Sequence, residues 1–508
     1  MPTDLTLSGI VFAPLVGALI VLSMPVRNDL QRFRVRTAAL FATVVPLLLA
    51  LFDMLAEVPS SSQGSIPAPA IDAPWLRGFF FQLDYHFGTD GLNLLLLVAV
   101  TVIFPALVLA SWRHRERYRT YFALLLLAEV GLTGALATQD LGMFIIFFGL
   151  PILPLALLIG LGATPRSRSA ARRLLATQSL SLAALIAGTL LLLLRTGNGT
   201  LNFSTLTTVK AASGSTGLIV ETLFLAAFLM RMGAFPFHRW LVDGLTEAST
   251  PLGMLLAVSS LPLGAYGLIR IAVAMEPNGA LQLTVPLLVL ALITLFWGAL
   301  SARGAQELRR IAANSLVAVG GLVILGVATF SETSLSGAIY LIFAFIFAAP
   351  LLLLAVGAIC DRSLLHKIQP LAGAAASSPR LRLFFMLAAA SLTGIPLLVG
   401  FPAIFEIVVS GIATQPYVTA FAVLGLLVLT AAWWRVAHRV FTANPDNAEV
   451  VTVSDSHGSE FYAGWVLAAA AIMFGIFAGF FIPYTVQGTS LVAARVSAVA
   501  PVVHPKAK

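Results

Sequence analysis

"LMRMGAFPFHRWLVDGLTEASTP", Leu229–Pro251, is the stretch on which the fold turns. An apolar run reaches Arg231 and passes through Phe235-Pro236-Phe237. It then meets His238, Arg239, Asp243 and Glu247 before a second apolar run opens at Leu252. Proline removes a helix hydrogen bond and clashes with the preceding turn. In lipid the freed carbonyls must find partners, so a helix broken this way belongs inside the protein or beside a wet cavity.

Composition supports a membrane reading of the whole chain. Of 508 residues, 59% are hydrophobic and only 10% are charged, whereas soluble domains carry about 25% charged residues. There is too little polar surface to cover a soluble shape. Apolar runs of about 20 residues, each long enough to cross a bilayer as a helix, recur throughout. The single cysteine, Cys360, excludes a disulfide framework and any cysteine-built metal or iron–sulfur site. The net charge of +8 comes from arginines in short loops between spans. Membrane orientation accounts for them better than nucleic acid does. No metal cluster, phosphate loop or nucleophile–base pair is evident, so no bound cofactor and no catalytic residue are expected.

Fourteen spans are expected, near 8–25, 37–55, 91–111, 120–138, 140–162, 172–194, 217–235, 250–271, 281–301, 312–330, 335–359, 382–410, 417–440 and 461–484. Lys and Arg concentrate after the odd spans, as at Arg113, Arg166, Arg239, Arg303, Arg362 and Arg435, while loops after even spans are poor in them. That alternation predicts both termini on the non-cytoplasmic side of a bacterial inner or thylakoid-type membrane. The first span has no basic residue before it and no Ala-x-Ala exit, and is expected to be retained. In the outer loop, "SSSQGSIPAP" (60–69) is expected to be flexible and "WLRGFFFQLDYHFGTDGL" (75–92) to pack over the outer face. A polar inner loop is expected over 442–460, and an amphipathic segment or an unstructured end over 490–500.

A second break lies in "GIPLLVGFPAIFE", where Gly394, Pro396, Gly400 and Pro402 fall close together. Paired broken helices are a mark of inverted-repeat transporters. The expected architecture is all-α and polytopic, with helices 7 and 12 broken. Its parts are N-terminal helices and outer loop (1–119), a first five-helix repeat (120–271), a second (281–440), and an inner loop, last helix and tail (441–508).

Ionisable residues inside spans are functional hypotheses by default. Glu129 sits in mid-span, Arg231 near the end of span 7, and Glu406 after the break in span 12. Glu221 and Asp53 lie nearer span ends and are expected to snorkel or to sit at the membrane interface. Asn314, Ser259, Ser260 and Ser315 are expected to join neighbouring helices. Arg231 suits a fixed counter-charge, a hydrogen-bond hub or an anion contact, because arginine stays protonated and cannot pass a proton on. His238 and Asp243 are read either as a gating pair or as part of a structural turn in which Glu247 and Thr250 cap span 8.

Six segments, in order, resemble the antiporter-like membrane subunits of respiratory complex I, of the chain M (subunit 4) type. They are "FGTDGLNLLLL" (87–97), "QDLGMFIIFFGLPILPL" (139–155), "FPFHRWLVDGLTEASTP" (235–251), "AYGLIR" (265–270), "QELRRIAANS" (306–315) and "LSGAIY…AVGAICDR" (335–362). The third is the specific one, matching the family pattern at Phe235, Pro236, His238, Trp240, Leu241, Asp243, Glu247, Ala248 and Pro251. The resemblance implies ion-path roles for Glu129, Arg231, His238, Asp243, Glu247 and Glu406. It also implies that the proton relay is degenerate. The family's fifth-span glutamate falls at Gly149, its seventh-span lysine at Arg231, its eighth-span lysine at Pro262, and its later histidines at Ala318 and Phe345.

Three functions follow from this resemblance. The first is a membrane-arm subunit of an NADH–quinone oxidoreductase assembly, bedded in lipid among other membrane subunits, with proton transfer impaired or absent. The second is a subunit of a related complex: a hydrogenase, an Mrp-type antiporter, or an inorganic-carbon uptake system with a soluble carbonic-anhydrase-like partner. The third is a stand-alone anion transporter using Arg231, whose fork suits carboxylate or bicarbonate.

Overall fold

A computed structural model describes residues 3–56, 71–77, 82–112, 114, 117–162, 164–196, 199–208, 215–443 and 452–499. The segment 60–69 and most of the inner loop, 444–451, lie outside the described residues, as does the region beyond 499. The helices, in order, are α1 (Thr3–Ser23), α2 (Asp29–Ala56), α3 (Leu94–Ala110), α4 (Tyr118–Ala137), α5 (Leu141–Gly149), α6 (Ile152–Gly160), α7 (Pro165–Thr196), α8 (Phe203–Thr208), α9 (Ser215–Met232) and α10 (Arg239–Glu247). They continue as α11 (Thr250–Gly267), α12 (Pro277–Gln282), α13 (Thr284–Gly304), α14 (Leu308–Ala328), α15 (Glu332–Ser363), α16 (Pro379–Thr393), α17 (Gly400–Thr414), α18 (Pro416–Phe441), α19 (Ser459–Ile476) and α20 (Ala478–Val499). A π-helical turn, Leu268–Val273, extends α11.

Among the described residues, twelve helices are long and apolar enough to cross a membrane. The expected spans 3 and 12 correspond to shorter apolar helices, α3 with 17 residues and the interrupted pair α16–α17. The chain is an integral membrane protein. Its core is helix on helix: α11, α14 and α15 have their apolar windows wholly buried, whereas only 28% of that of α2 and 33% of that of α18 is buried. The middle of the bundle is thus protein on all sides, and the outer helices face lipid or neighbours.

Two expectations need correction. The chain is not helical throughout: in the outer segment Ile71–Arg77 (β1) and Gln82–Phe87 (β2) pair antiparallel as a small hairpin. The amphipathic tail is longer than expected, since α20 begins at Ala478 and buries Phe481, Tyr484, Gly488, Val492 and Val496 at three- and four-residue spacing. That stripe packs along α15. Where α20 passes the N-terminal region, an added Cβ on Gly91 would lie 2.5 Å from the Gly488 nitrogen. Only glycine at both positions lets the two backbones meet.

The two expected breaks share one backbone device. Gly233, at φ +72°, ends α9; Gly394, at φ +76°, ends α16. In each, the residue after the glycine donates to a carbonyl five positions back: Ala234 N–H to Leu229 O (3.0 Å) and Ile395 N–H to Ala390 O (3.0 Å). This is a Schellman cap, which satisfies the helix's orphan carbonyls and turns the chain out of the helix. Proline follows within three residues and prevents the helix from resuming at once.

Candidate functional site

The retained motifs meet at two places. Asp90, Gln139 and Arg270 come from three of the quoted segments. Arg270 Nη1 donates to Asp90 Oδ2 at 2.5 Å, and its Nη2 donates to Gln139 Oε1. Asn93 Nδ2 ties the same region to Gly88 O (2.9 Å) and Leu136 O (2.8 Å). Asp140 caps α5, its Oδ1 accepting from Gly142 and Met143 N–H. The second cluster joins Arg309, Asp361 and Thr250. Arg309 Nη2 reaches Asp361 Oδ1 at 2.6 Å, Arg309 Nη1 reaches the Ala248 carbonyl at 2.5 Å, and Thr250 Oγ1 donates to Asp361 Oδ2 at 2.9 Å. Thr250 opens α11 and Arg270 lies just past its end. At 1.5 Å per residue the two clusters are about 30 Å apart, one at each end of the same helix. These segments are charged clamps that fix how helices meet.

Between the clamps lies Arg231, 2% exposed. Its Nε donates to Ser259 O at 3.2 Å, and its Nη1 donates to Gln178 Oε1 at 3.0 Å. The guanidinium lies 4.7 Å from the Phe148 ring centre. Pro262 stands one turn beyond Ser259 in α11 and has no N–H to offer the helix ladder at this level. The carbonyl that loses its helix partner to Pro262 is that of Val258, four residues back; Arg231 meets the next carbonyl along, that of Ser259. The expected relay positions Gly149 and Pro262 adjoin this group, one beside Phe148 and one beyond Ser259. Leu182 fills the space that a side chain at Gly149 would take, lying 3.0 Å from an added Cβ.

The other candidates are dispersed. Glu129 in α4 is fully buried, and neither carboxylate oxygen has a hydrogen-bond partner among the described residues. Glu406 in α17 is half-buried against Gly337, next to Ser336, and its Oε2 has no hydrogen bond. Ala318 and Phe345 are buried apolar positions; the backbone of Ala318 lies where a Cβ on Gly298 would fall, so α13 and α14 touch closely there.

His238 and Asp243 are not joined directly. His238 Nε2 accepts from Trp297 Nε1 at 2.8 Å, with Phe235 stacked on its ring at 5.7 Å. Asp243 instead pairs with Arg173 and, at 3.7 Å, with Arg239. The capping role expected of Glu247 and Thr250 is absent: Ser249 precedes α11 without a side-chain cap, and Thr250 is engaged by Asp361.

Glu221 and Asp53 do not snorkel. Glu221 is fully buried, and Asp53, 4% exposed, accepts from Thr6 at 2.8 Å. Asn314, Ser259, Ser260 and Ser315 bond to carbonyls of their own helices rather than across to neighbours. Sequence reading missed Gln178 and Trp297, and it named Trp240 only as a match to the family pattern. Gln178 carried a signal, as a lone amide in the apolar run of α7. Trp240 is placed by its Nε1 bond to Met230 O (3.0 Å), which ties α10 back onto α9 across the break.

A family profile described as NADH:quinone oxidoreductase/Mrp antiporter, TM matches residues 138–430, more than half of the chain. The chain is 26% identical over 485 residues to NADH-quinone oxidoreductase subunit M of Rhodobacter capsulatus, covering 93% of each. It is 25% identical over 462 residues to NAD(P)H-quinone oxidoreductase chain 4 2 of Microcystis aeruginosa, covering 89% of this chain and 82% of that one. Its fold superposes on a chain of respiratory complex I from Thermus thermophilus with a TM-score of 0.86. That match has 23% identity and covers 98% of this chain and 100% of the other.

Proposed function

This chain belongs to the NADH:quinone oxidoreductase/Mrp antiporter transmembrane family, and we propose that it is an antiporter-like membrane-arm subunit whose own centre does not pump protons. The assembly is of the complex I type, with other membrane subunits as its partners and no cofactor held by this chain. Fourteen membrane passages, ten of them in two inverted five-helix repeats at 120–271 and 281–440, with both termini on the non-cytoplasmic side, complete the reading. One observation carries it. The group at the middle of the first repeat is Arg231, and its partners are a neutral amide and a backbone carbonyl. Arginine holds its proton in proteins, so a proton entering here has no carrier. Gly149, Pro262, Ala318 and Phe345 bear no titratable group. Glu129 and Glu406 are the buried or half-buried carboxylates among the candidates, while His238 and Asp243 are engaged at the first break by Trp297 and by Arg173.

The test is proton flux in vesicles reconstituted with the purified chain. No flux above that of empty vesicles is expected, and Arg231→Ala and Glu406→Gln should change nothing. Flux that is lost in either variant would sink the scaffold reading. Related assemblies are the second reading, favoured by the Mrp half of the family description. Purification in mild detergent separates them. A co-purifying quinone-reducing arm supports the complex I type, and a lone soluble zinc protein supports inorganic-carbon uptake.

A further inference from the structure

Arg231 is a buried cation with no anion beside it. Among the described residues, none of the ion pairs includes it. A guanidinium has five N–H donors, and the two acceptors that meet it, Ser259 O and Gln178 Oε1, are both neutral. They satisfy geometry and leave the charge. The Phe148 ring covers one face of the group, and a cation–π contact offsets only part of the cost of burying it. Two donors remain unused, Arg231 Nη2 and Gln178 Nε2. Both residues are at least 98% buried, and both line one narrow gap walled by Ile152, Leu155, Leu174, Trp240, Leu256 and Ser259.

A buried charge is tolerated when it is paired and its donors are used. We propose that Arg231 and Gln178 hold a small monovalent anion of the halide class as a resident counter-charge, bound through Arg231 Nη2 and Gln178 Nε2. Water would use the donors and leave the charge in place. The gap as it stands has no room for a water-sized sphere, so a bound ion displaces the apolar side chains that wall it. A single-atom anion asks for the least widening of these apolar walls; bicarbonate or phosphate would have to part α6 from α11. The inference is independent of which complex the chain joins, and flux measurements do not bear on it.

The experiment compares the purified full chain in chloride, bromide and gluconate. Chloride and bromide should raise Tm saturably, and gluconate should not. The rise should be lost in Arg231→Met and in Gln178→Leu, and bromide should give an anomalous scattering peak beside Arg231. Gly149→Glu is the complementary variant. Its side chain would start against Leu182, one turn along α7 from Gln178, and next to the Phe148 ring that touches Arg231. A carboxylate there supplies the counter-charge internally, so Tm should be maintained while its halide dependence disappears. The proposal is overturned if wild-type Tm is indifferent to halide, if the halide shift survives undiminished in Arg231→Met and Gln178→Leu, or if bromide leaves no peak and only a water stands at the site.

Discussion

The clamp around Arg270 and the site around Arg231 each bury one arginine, and they treat its charge in opposite ways. Arg270 faces Asp90 at 2.5 Å, and both side chains keep only about a tenth of their surface exposed. Arg231, deeper in the bundle, has an amide and a carbonyl instead. The first arrangement fixes three chain segments in one register. The second fixes almost nothing that an apolar side chain could not. The charged residues of the quoted segments therefore serve the joints between helices, whereas Arg231 between those joints meets only neutral acceptors.

The largest effect that would test this contrast is Arg270→Ala. Removing one partner of a buried pair leaves Asp90 uncompensated and should lower stability by about 3–5 kcal/mol, read as Tm or as loss of folded protein in detergent. At the opposite clamp, Arg309→Ala should cost less, about 1 kcal/mol, because Asp361 is more than half exposed and solvent screens the pair. Next comes Arg231→Met in halide-free buffer, which should raise stability, by about 1–4 kcal/mol, as replacing buried charge with well-packed apolar volume often does. A large loss instead would mean that Arg231 is as firmly paired as Arg270 and would erase the contrast. The smallest is Trp240→Phe. It removes the bond from Nε1 to Met230 O across the first break and should cost about 1 kcal/mol, with Tm again as the readout.

Much of the fold was legible because membrane helices announce themselves by length and apolarity, and because broken helices carry proline. The two breaks were found from Pro236 and Pro396. Their common geometry was not, because the shared device is a left-handed glycine, and Gly233 looks like any other small residue in an apolar run. The candidate site was only half legible. Arg231 stood out as a charge in a span, but its partner Gln178 lies 53 residues earlier on another helix, and no local pattern links them. The hairpin at 71–87 was passed over because its strands are short and sit among turn-forming residues. Charges such as Glu221, placed by sequence near a helix end, were assigned to the surface; packing by the short helix α12 covers that end.

The contact of Gly91 with Gly488 has a consequence for how the molecule comes into being. It joins the backbone at Gly91 to backbone at Gly488, which is made much later in synthesis. A domain emerging from its N-terminus folds progressively as it is made, but this seam stays open until α20 has been added.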